Sequence, residues 1–307
     1  MLKHIESLEG ENIIDIYNKE WKIKSAIGKG GFGYIYLAGN DNNNECKYVV
    51  KIEPKSNGPL FVEQNFYQRI GKIDNINKWI KENNIQYLGI PRCYGFGTHI
   101  KNNKEYRFII LDRLGCDLQK IITHNNNKLP KKTVYKIGLQ VLNILRYLHN
   151  NGYAHADIKA ANITLDYYDN NKIYLIDYGL SYRFVINNKH VNFRNDPKKM
   201  HNGTIEFTSI DAHNGACPSR RGDLEILGYC MIKWLCGKLP WENNLKDKEY
   251  VKDSKIKYFK DTNLLMRFCF DDDIPIELFN YINEIKTLKY YDEPNYEKIK
   301  NILNNEY

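Results

Sequence analysis

Through the first third of the chain the apolar residues fall in short runs, rich in β-branched and aromatic side chains and cut by polar turn formers. WKIKSAI (Trp21–Ile27), YIYLAG (Tyr34–Gly39) and CKYVVKI (Cys46–Ile52) read as strands, the last two parted by the turn-forming NDNNN. Two more strands are expected around Cys93–Thr98 and at YRFIIL (Tyr106–Leu111). Before them, PLFVEQNFYQRI spaces its apolar residues as a helix does, and Ile76, Trp79 and Ile80 suggest a further short helix. The second half changes period. Val134, Ile137, Val141, Leu145 and Leu148 fall three or four apart between Pro130 and Gly152, which mark a helix start and stop. Leu224, Leu227, Met231 and Trp234 repeat that spacing. The fold class is therefore α+β: a small antiparallel-sheet lobe with one main helix, then a larger, mainly helical lobe. The cleft between two such lobes is the natural place for a ligand.

Gly28, Gly30 and Gly33 form a G-x-G-x-x-G loop, a weak signal by itself. Here it joins two strands of a hairpin. That excludes the dinucleotide reading, which needs strand, loop and helix, and no Gly-Lys-Ser/Thr follows to make a P-loop.

Composition changes the picture little. The 307 residues, 42% hydrophobic and 27% charged, suit two domains or one domain of two lobes, with no internal repeat or linker. No run is apolar enough to span a membrane, and MLKHIESLEG lacks the apolar stretch of a signal peptide. Seven scattered cysteines without C-x-x-C argue against a zinc site or disulfide framework and for a reducing cytosol or nucleus. The heavy use of Asn, Lys, Ile and Tyr suggests an AT-rich coding sequence, a remark about the genome rather than the fold. The net charge of +8 includes Arg183, Lys189, Arg194, Lys198, Lys199, Arg220 and Arg221, with no accompanying nucleic-acid motif. Direct nucleic-acid binding is thus disfavoured against a solvated basic surface or one that steers acidic substrates.

The decisive stretches are YAHADIKAANITL and KIYLIDYGL, giving His155-x-Asp157-x-Lys159-x-x-Asn162 and then Asp177-Tyr178-Gly179. With the glycine loop, the strand lysine Lys51, the helix glutamate Glu63 and Asp223 on the long helix, these elements appear in the order of a eukaryotic-type protein kinase. The resemblance covers nearly the whole chain and implies a bilobal protein-kinase fold over 21–303: N-lobe about 21–111, hinge 112–115, C-lobe about 116–303, with 1–20 as an N-terminal extension. It implies ATP and Mg²⁺. The loop Ile27, Gly28, Lys29, Gly30, Gly31, Phe32, Gly33, Tyr34 and Ile35 would cover the triphosphate, glycines letting backbone amides approach closely. Lys51 would contact the α- and β-phosphates, held by Glu63. Ile27, Ile35, Val49, Leu165 and Ile176 would wall the adenine, with Leu111 as gatekeeper and the Asp112 and Leu114 backbone as hinge. Asp157 would be the base, Lys159 would neutralise the γ-phosphate, Thr204 would bond both, and Asn162 and Asp177 would offer hard oxygens to Mg²⁺. Lys159 and Thr204 resemble the serine/threonine type, so the acceptors would be Ser or Thr hydroxyls of proteins.

Three departures narrow the resemblance. Ala156 stands where such kinases carry the arginine that anchors an activation-segment phosphate, so activity without activating phosphorylation is expected. Tyr178 keeps an aromatic in D-F-G, and Ser209-Ile210-Asp211 replaces A-P-E. With KIEPKSNGPLFVEQNFYQR, LDRLGCDLQKI and HADIKAANITLD, the chain resembles the casein-kinase-1-like branch, and within it the vaccinia-related kinases, most like their poxvirus-encoded form. The chain is expected to carry no C-terminal tail or membrane anchor beyond the kinase domain, a compact form that with the AT-rich usage resembles the poxvirus-encoded member, and to be a monomer in the cytoplasm, that of the host cell if viral. The family also implies Ser/Thr substrates among nucleic-acid-associated proteins, notably a small DNA-bridging host factor whose DNA binding added phosphate would weaken, supporting viral DNA replication. A non-catalytic scaffold of the same fold would be expected to have lost one or more of Lys51, Glu63, Asp157, Lys159, Asn162 and Asp177; all are present. Small-molecule phosphorylation is disfavoured by Lys159 and Thr204.

Overall fold

The computed structural model describes residues 7–29, 33–39 and 46–304. The chain divides into two compact units, Met1–Gly115 with Asp166–Asn170 and Ile176–Leu180, and Cys116–Leu165 with Asn171–Leu175 and Ser181–Tyr307. A sheet unit and a mainly helical unit, the pattern read from the sequence, are what the chain forms.

In the first unit, strands β1 (Asn12–Ile14), β2 (Glu20–Lys29), β3 (Tyr34–Gly39), β4 (Tyr48–Pro54), β5 (Cys93–Lys101) and β6 (Lys104–Asp112) form one antiparallel sheet in the order β1-β2-β3-β4-β6-β5. The alternation in β2 sends Trp21 and Ile23 inward against Tyr36, Val50, Phe108 and Ile110. β1 lies within the stretch expected to be an extension: Ile13, fully buried, pairs with Trp21 at the sheet edge. Three residues are too few to show a period, so pairing rather than pattern makes this strand. Helix α1 (Pro59–Arg69) follows β4, and α2 (Ile73–Glu82) is the short helix expected at Ile76–Ile80.

Part of the asparagine excess is structural. The β5–β6 turn is Asn102–Asn103, at φ of 48° and 60°, a left-handed pair that twists with the strands it joins. Asparagine is the side chain that tolerates this region best after glycine.

The second unit holds α3 (Leu118–His124), α4 (Lys131–Asn150), α5 (Ile210–His213), α6 (Arg220–Cys236), α7 (Lys248–Lys260), α8 (Thr262–Phe270), α9 (Ile276–Thr287) and α10 (Tyr296–Asn304). Short strands are β7 (Tyr153–Ala154), β8 (Ile163–Leu165), β9 (Ile173–Leu175), β10 (Tyr182–Arg183), β11 (Val185–Ile186) and β12 (Lys189–His190). The apolar face predicted for α4 is buried throughout, with Pro130 at its N-cap. α6 is buried on nearly every side, starts at a Ser219 hydroxyl that accepts from Gly222 N at 3.2 Å, and stops at Gly237, φ +81°. It is enclosed by α4, α8 and α9. Among the described residues no helix is long and apolar enough to cross a membrane.

Candidate active site

In the first unit the chemistry centres on Lys51. Residues 49 and 51 share a face of β4, and Lys51 lies across from Ile35 on β3 and Ile109 on β6. Its Nζ meets Glu63 Oε2 at 2.6 Å and Asp177 Oδ1 at 2.8 Å. Burial opposes the ammonium, but the two carboxylates outweigh it and hold the Lys51 pKa above its ordinary value. Glu63, on α1 and almost fully buried, also accepts from Tyr178 N at 3.4 Å. The Tyr178 ring stacks on Phe66 of the same helix, centroids 3.7 Å apart and 7° from parallel, so the aromatic of the D-Y-G segment is packed as expected.

A residue the sequence reading passed over aligns this arrangement. Gly58, the N-cap of α1, offers no side-chain cap; Glu53, two residues after Lys51 and 2% exposed, accepts from Leu60 N at 3.2 Å. Its carboxylate supplies the missing cap and favours the helix dipole, tying the lysine's strand to the glutamate's helix. An acid closing the strand after YVVKI was the available signal.

Of the glycine loop, Gly30, Gly31 and Phe32 lie outside the described residues. The neighbouring strand by itself demands glycine at Gly33: a Cβ there would sit 2.0 Å from the Ile52 carbonyl. At Gly28 a Cβ would meet only Ile35 at 3.8 Å, so the protein itself does not demand glycine there. Lys29 and Tyr34 face each other as the last pair of β2 and β3. Ile27 is half exposed, Ile35, Val49, Leu114 and Ile176 partly so, and Leu111, buried, pairs with Val49 across β4 and β6. The Asp112 N–H is committed to Arg92 O at 3.2 Å, which leaves its carbonyl side for a base. Among the described residues no hydrogen bond engages the Leu114 backbone.

In the second unit the site is built around Asp157, 8% exposed. Its carboxylate accepts from Lys159 Nζ (2.7 Å), Asn162 Nδ2 (3.1 Å), Thr204 N (3.1 Å) and Thr204 Oγ1 (2.6 Å). Lys159 also donates to Thr204 Oγ1 at 2.8 Å, closing a triangle of the three side chains. Leu165 lies partly exposed at the end of β8. Asp223 at the head of α6 carries the loop: Oδ2 accepts from His155 N (2.7 Å) and His149 Nε2 (3.0 Å), and Oδ1 accepts from Ala156 N (2.8 Å). Those bonds hold Ala156 at φ +69°, a left-handed conformation that costs a non-glycine residue about 1–2 kcal/mol.

The protein kinase domain family matches residues 21–304. The chain is 48% identical to the B1 kinase of vaccinia virus (strain Ankara) over 97% of its length and 98% of that protein. The chain is a protein kinase of the vaccinia-related family. It is 46% identical to human serine/threonine-protein kinase VRK2 over 96% of this chain and 59% of that protein. A solved structure of vaccinia related kinase 3 superposes with a TM-score of 0.87 at 34% identity, covering 99% of this chain and 93% of that one. This kinase is an ATP-dependent serine/threonine protein kinase.

Its donor set fits Mg²⁺. Asn162 turns its Nδ2 to Asp157 O (2.8 Å) and Oδ2 (3.1 Å), which fixes the other end of the amide as the oxygen, and Asp177 is a partly exposed carboxylate. Among the described residues no cluster of three or more His, Cys, Asp or Glu could hold a metal, and magnesium on nucleotides asks for few protein oxygens because phosphates supply others.

Side chains of the kinase itself pack against its activation segment. Phe184, fully buried, packs against His190, whose ring meets Tyr290 and Tyr291 at 4.9 and 5.3 Å, and the Arg220 guanidinium lies 4.7 Å over Phe184. Phe193 N donates to Tyr291 Oη at 2.8 Å, and the β11–β12 turn is again an asparagine pair, Asn187–Asn188 at φ 50° and 60°. Asp211, in the place of the A-P-E glutamate, is clasped by Arg221 through Nε (2.9 Å) and Nη2 (2.5 Å). The aromatic clasp was not legible beforehand, because Tyr290 and Tyr291 lie far along the chain from Phe184 and His190.

Proposed function

We propose that the kinase transfers the ATP γ-phosphate to Ser or Thr of proteins bound to nucleic acid, including a small DNA-bridging host factor, in the cytoplasm of an infected cell. What carries the reading is the Asp157–Lys159–Thr204 triangle. A carboxylate accepting from several donors is in the form that can take a proton. Asp157 orients the acceptor hydroxyl; the new O–P bond forms as the β,γ-bridging bond breaks, and the proton passes to Asp157 Oδ. Lys159 offsets charge on the transferring group, and Lys51, fixed by Glu63, on the α- and β-phosphates. Asp177 and Asn162 each offer an oxygen of the kind Mg²⁺ takes, and the ion, when bound, would neutralise the phosphates. The Leu114 backbone and the Asp112 carbonyl receive the adenine edge. Phosphate on the bridging factor would add about −1.5 to −2 charges and weaken its hold on the DNA backbone. The kinase is expected to work as a monomer.

The test is transfer of labelled γ-phosphate by the purified kinase and by Asp157→Asn onto the DNA-bridging factor and a generic acceptor. Phosphoserine or phosphothreonine from the parent, strongly reduced in the variant, is the expected result. Preference for the generic acceptor would remove the bridging factor from the proposal, and nucleotide binding without transfer would leave a scaffold.

A further inference from the structure

Lys255, on the inner face of α7, is fully buried, and among the described residues no carboxylate pairs with it. A buried lysine is costly, and its position should show what it is for. Its Nζ donates to Ile205 O at 2.9 Å and Thr208 O at 2.7 Å, and it lies 3.2 Å from His213 Nε2. The rings of Tyr229 and Trp241 flank it, centroids 5.5 and 5.3 Å away. Three donors thus meet three acceptors, which requires His213 Nε2 to carry no proton.

That requirement orders a chain. His213 then donates from Nδ1 to His201 Nδ1 at 2.9 Å, and His201 from Nε2 to Glu249 Oε1 at 3.1 Å. Each link has one donor and one acceptor only in this polarity. Burial, and next the charge of Lys255, push His213 down to about 3, in keeping with a neutral ring. Burial also pulls Lys255 down to about 7, with Glu225 and Glu206 pulling the other way.

What the lysine grips is the turn that carries Thr204. Phe207 N and Thr208 N close it on Thr204 O, at 2.8 and 2.9 Å, and Trp241 Nε1 holds Glu206 O at 2.7 Å. Lys255 takes the carbonyls on either side of Glu206 and Phe207. We propose that Lys255 is a positioning residue for protein acceptors: its grip on the 204–208 turn sets Thr204, and through Thr204 the carboxylate of Asp157. This rests on the roles given above to Thr204 and Asp157. The chain through His213, His201 and Glu249 fixes the direction of the grip.

The experiment compares Lys255→Met, Lys255→Arg, Thr204→Ala and the Lys255→Met/Thr204→Ala pair. Methionine keeps the length and the ring packing and removes every donor. Expected are Mg·ATP affinity within about twofold of the parent and kcat/KM for a protein acceptor lower on the order of 100-fold, as for other small misplacements of reacting groups. Arginine should recover part of that loss, and the double variant should be no worse than the worse single one. Nucleotide affinity falling in step with melting temperature, or losses that multiply, would reduce Lys255 to a packing residue and overturn the inference. Full activity in Lys255→Met beside an impaired Thr204→Ala overturns this inference alone; full activity in Thr204→Ala overturns the Thr204 reading and the route through it. If Lys255→Met does not fold, His201→Asn decides, since asparagine tolerates the φ of +62° at that position. A smaller acceptor-specific loss there supports the proposal, and an unchanged kcat/KM overturns it.

Discussion

Replacing Asp223 by asparagine should separate the catalytic loop from its support. The carboxylate takes three hydrogen bonds at 2.7, 2.8 and 3.0 Å while 1% exposed. Asparagine has one oxygen. Placed as Oδ2, it keeps the bonds from His155 N and His149 Nε2 but sets an amide nitrogen against Ala156 N–H. Two charge-assisted bonds become neutral, at about 1 kcal/mol each, and a buried donor loses its acceptor, at about 1–3 kcal/mol. The sum is about 3–5 kcal/mol, or roughly 10 °C in melting temperature for a unit of this size. Catalysis should suffer separately, because the backbone at 155–156 leads directly into Asp157. A shift near 1 Å can cost on the order of 100-fold in turnover. Urea unfolding gives the first quantity; phosphate transfer at a temperature where the variant is fully folded gives the second. Unfolding free energy within about 1 kcal/mol of the parent, with unchanged turnover, would refute the assignment of Asp223 as the post of the loop.

Phosphatase treatment should leave transfer activity essentially intact, since an aromatic clasp orders the activation segment; loss of nearly all activity would show that a phosphate does. Lys51→Met should weaken Mg·ATP binding while the second unit keeps its fold, measured by nucleotide titration beside a melting curve; unchanged affinity would detach Lys51 from the phosphates. His213 is held neutral at a pKa of about 3 against an ordinary 6.5, so the unfolded chain takes up its proton first. Its contribution is complete above pH 6.5 and drains as pH falls toward 3, by at most about 1.4 kcal/mol per pH unit. His213→Gln should flatten the acid limb of urea stability against pH, and equal slopes in parent and variant would contradict this.

What could be read ahead was what the chain encodes locally. The α4 face needs only its own 3.6-residue period, and the β2–β3 hairpin only a glycine turn between two strands. Lys51, Glu63, Asp157 and Asn162 were found by order along the chain, and the structure gathers them into two sets, one in each unit. What escaped was non-local. Lys255 looks like any lysine of a polar helix until Trp241, Tyr229 and the 204–208 turn close over it. His190 meets Tyr290 a hundred residues later in the sequence, and Glu53 caps a helix that starts beyond a turn. Gly33, read as part of a phosphate loop, is also demanded by the strand beside it, which its sequence position did not reveal.

The clasp around Phe184 has a consequence for control. If phosphatase treatment leaves activity intact, a segment fastened by its own tyrosines and histidine would need no upstream kinase to license it. Completing the fold would then be the enzyme's activation step. Its output would be set by when and how much of it is translated, and by how soon it is degraded.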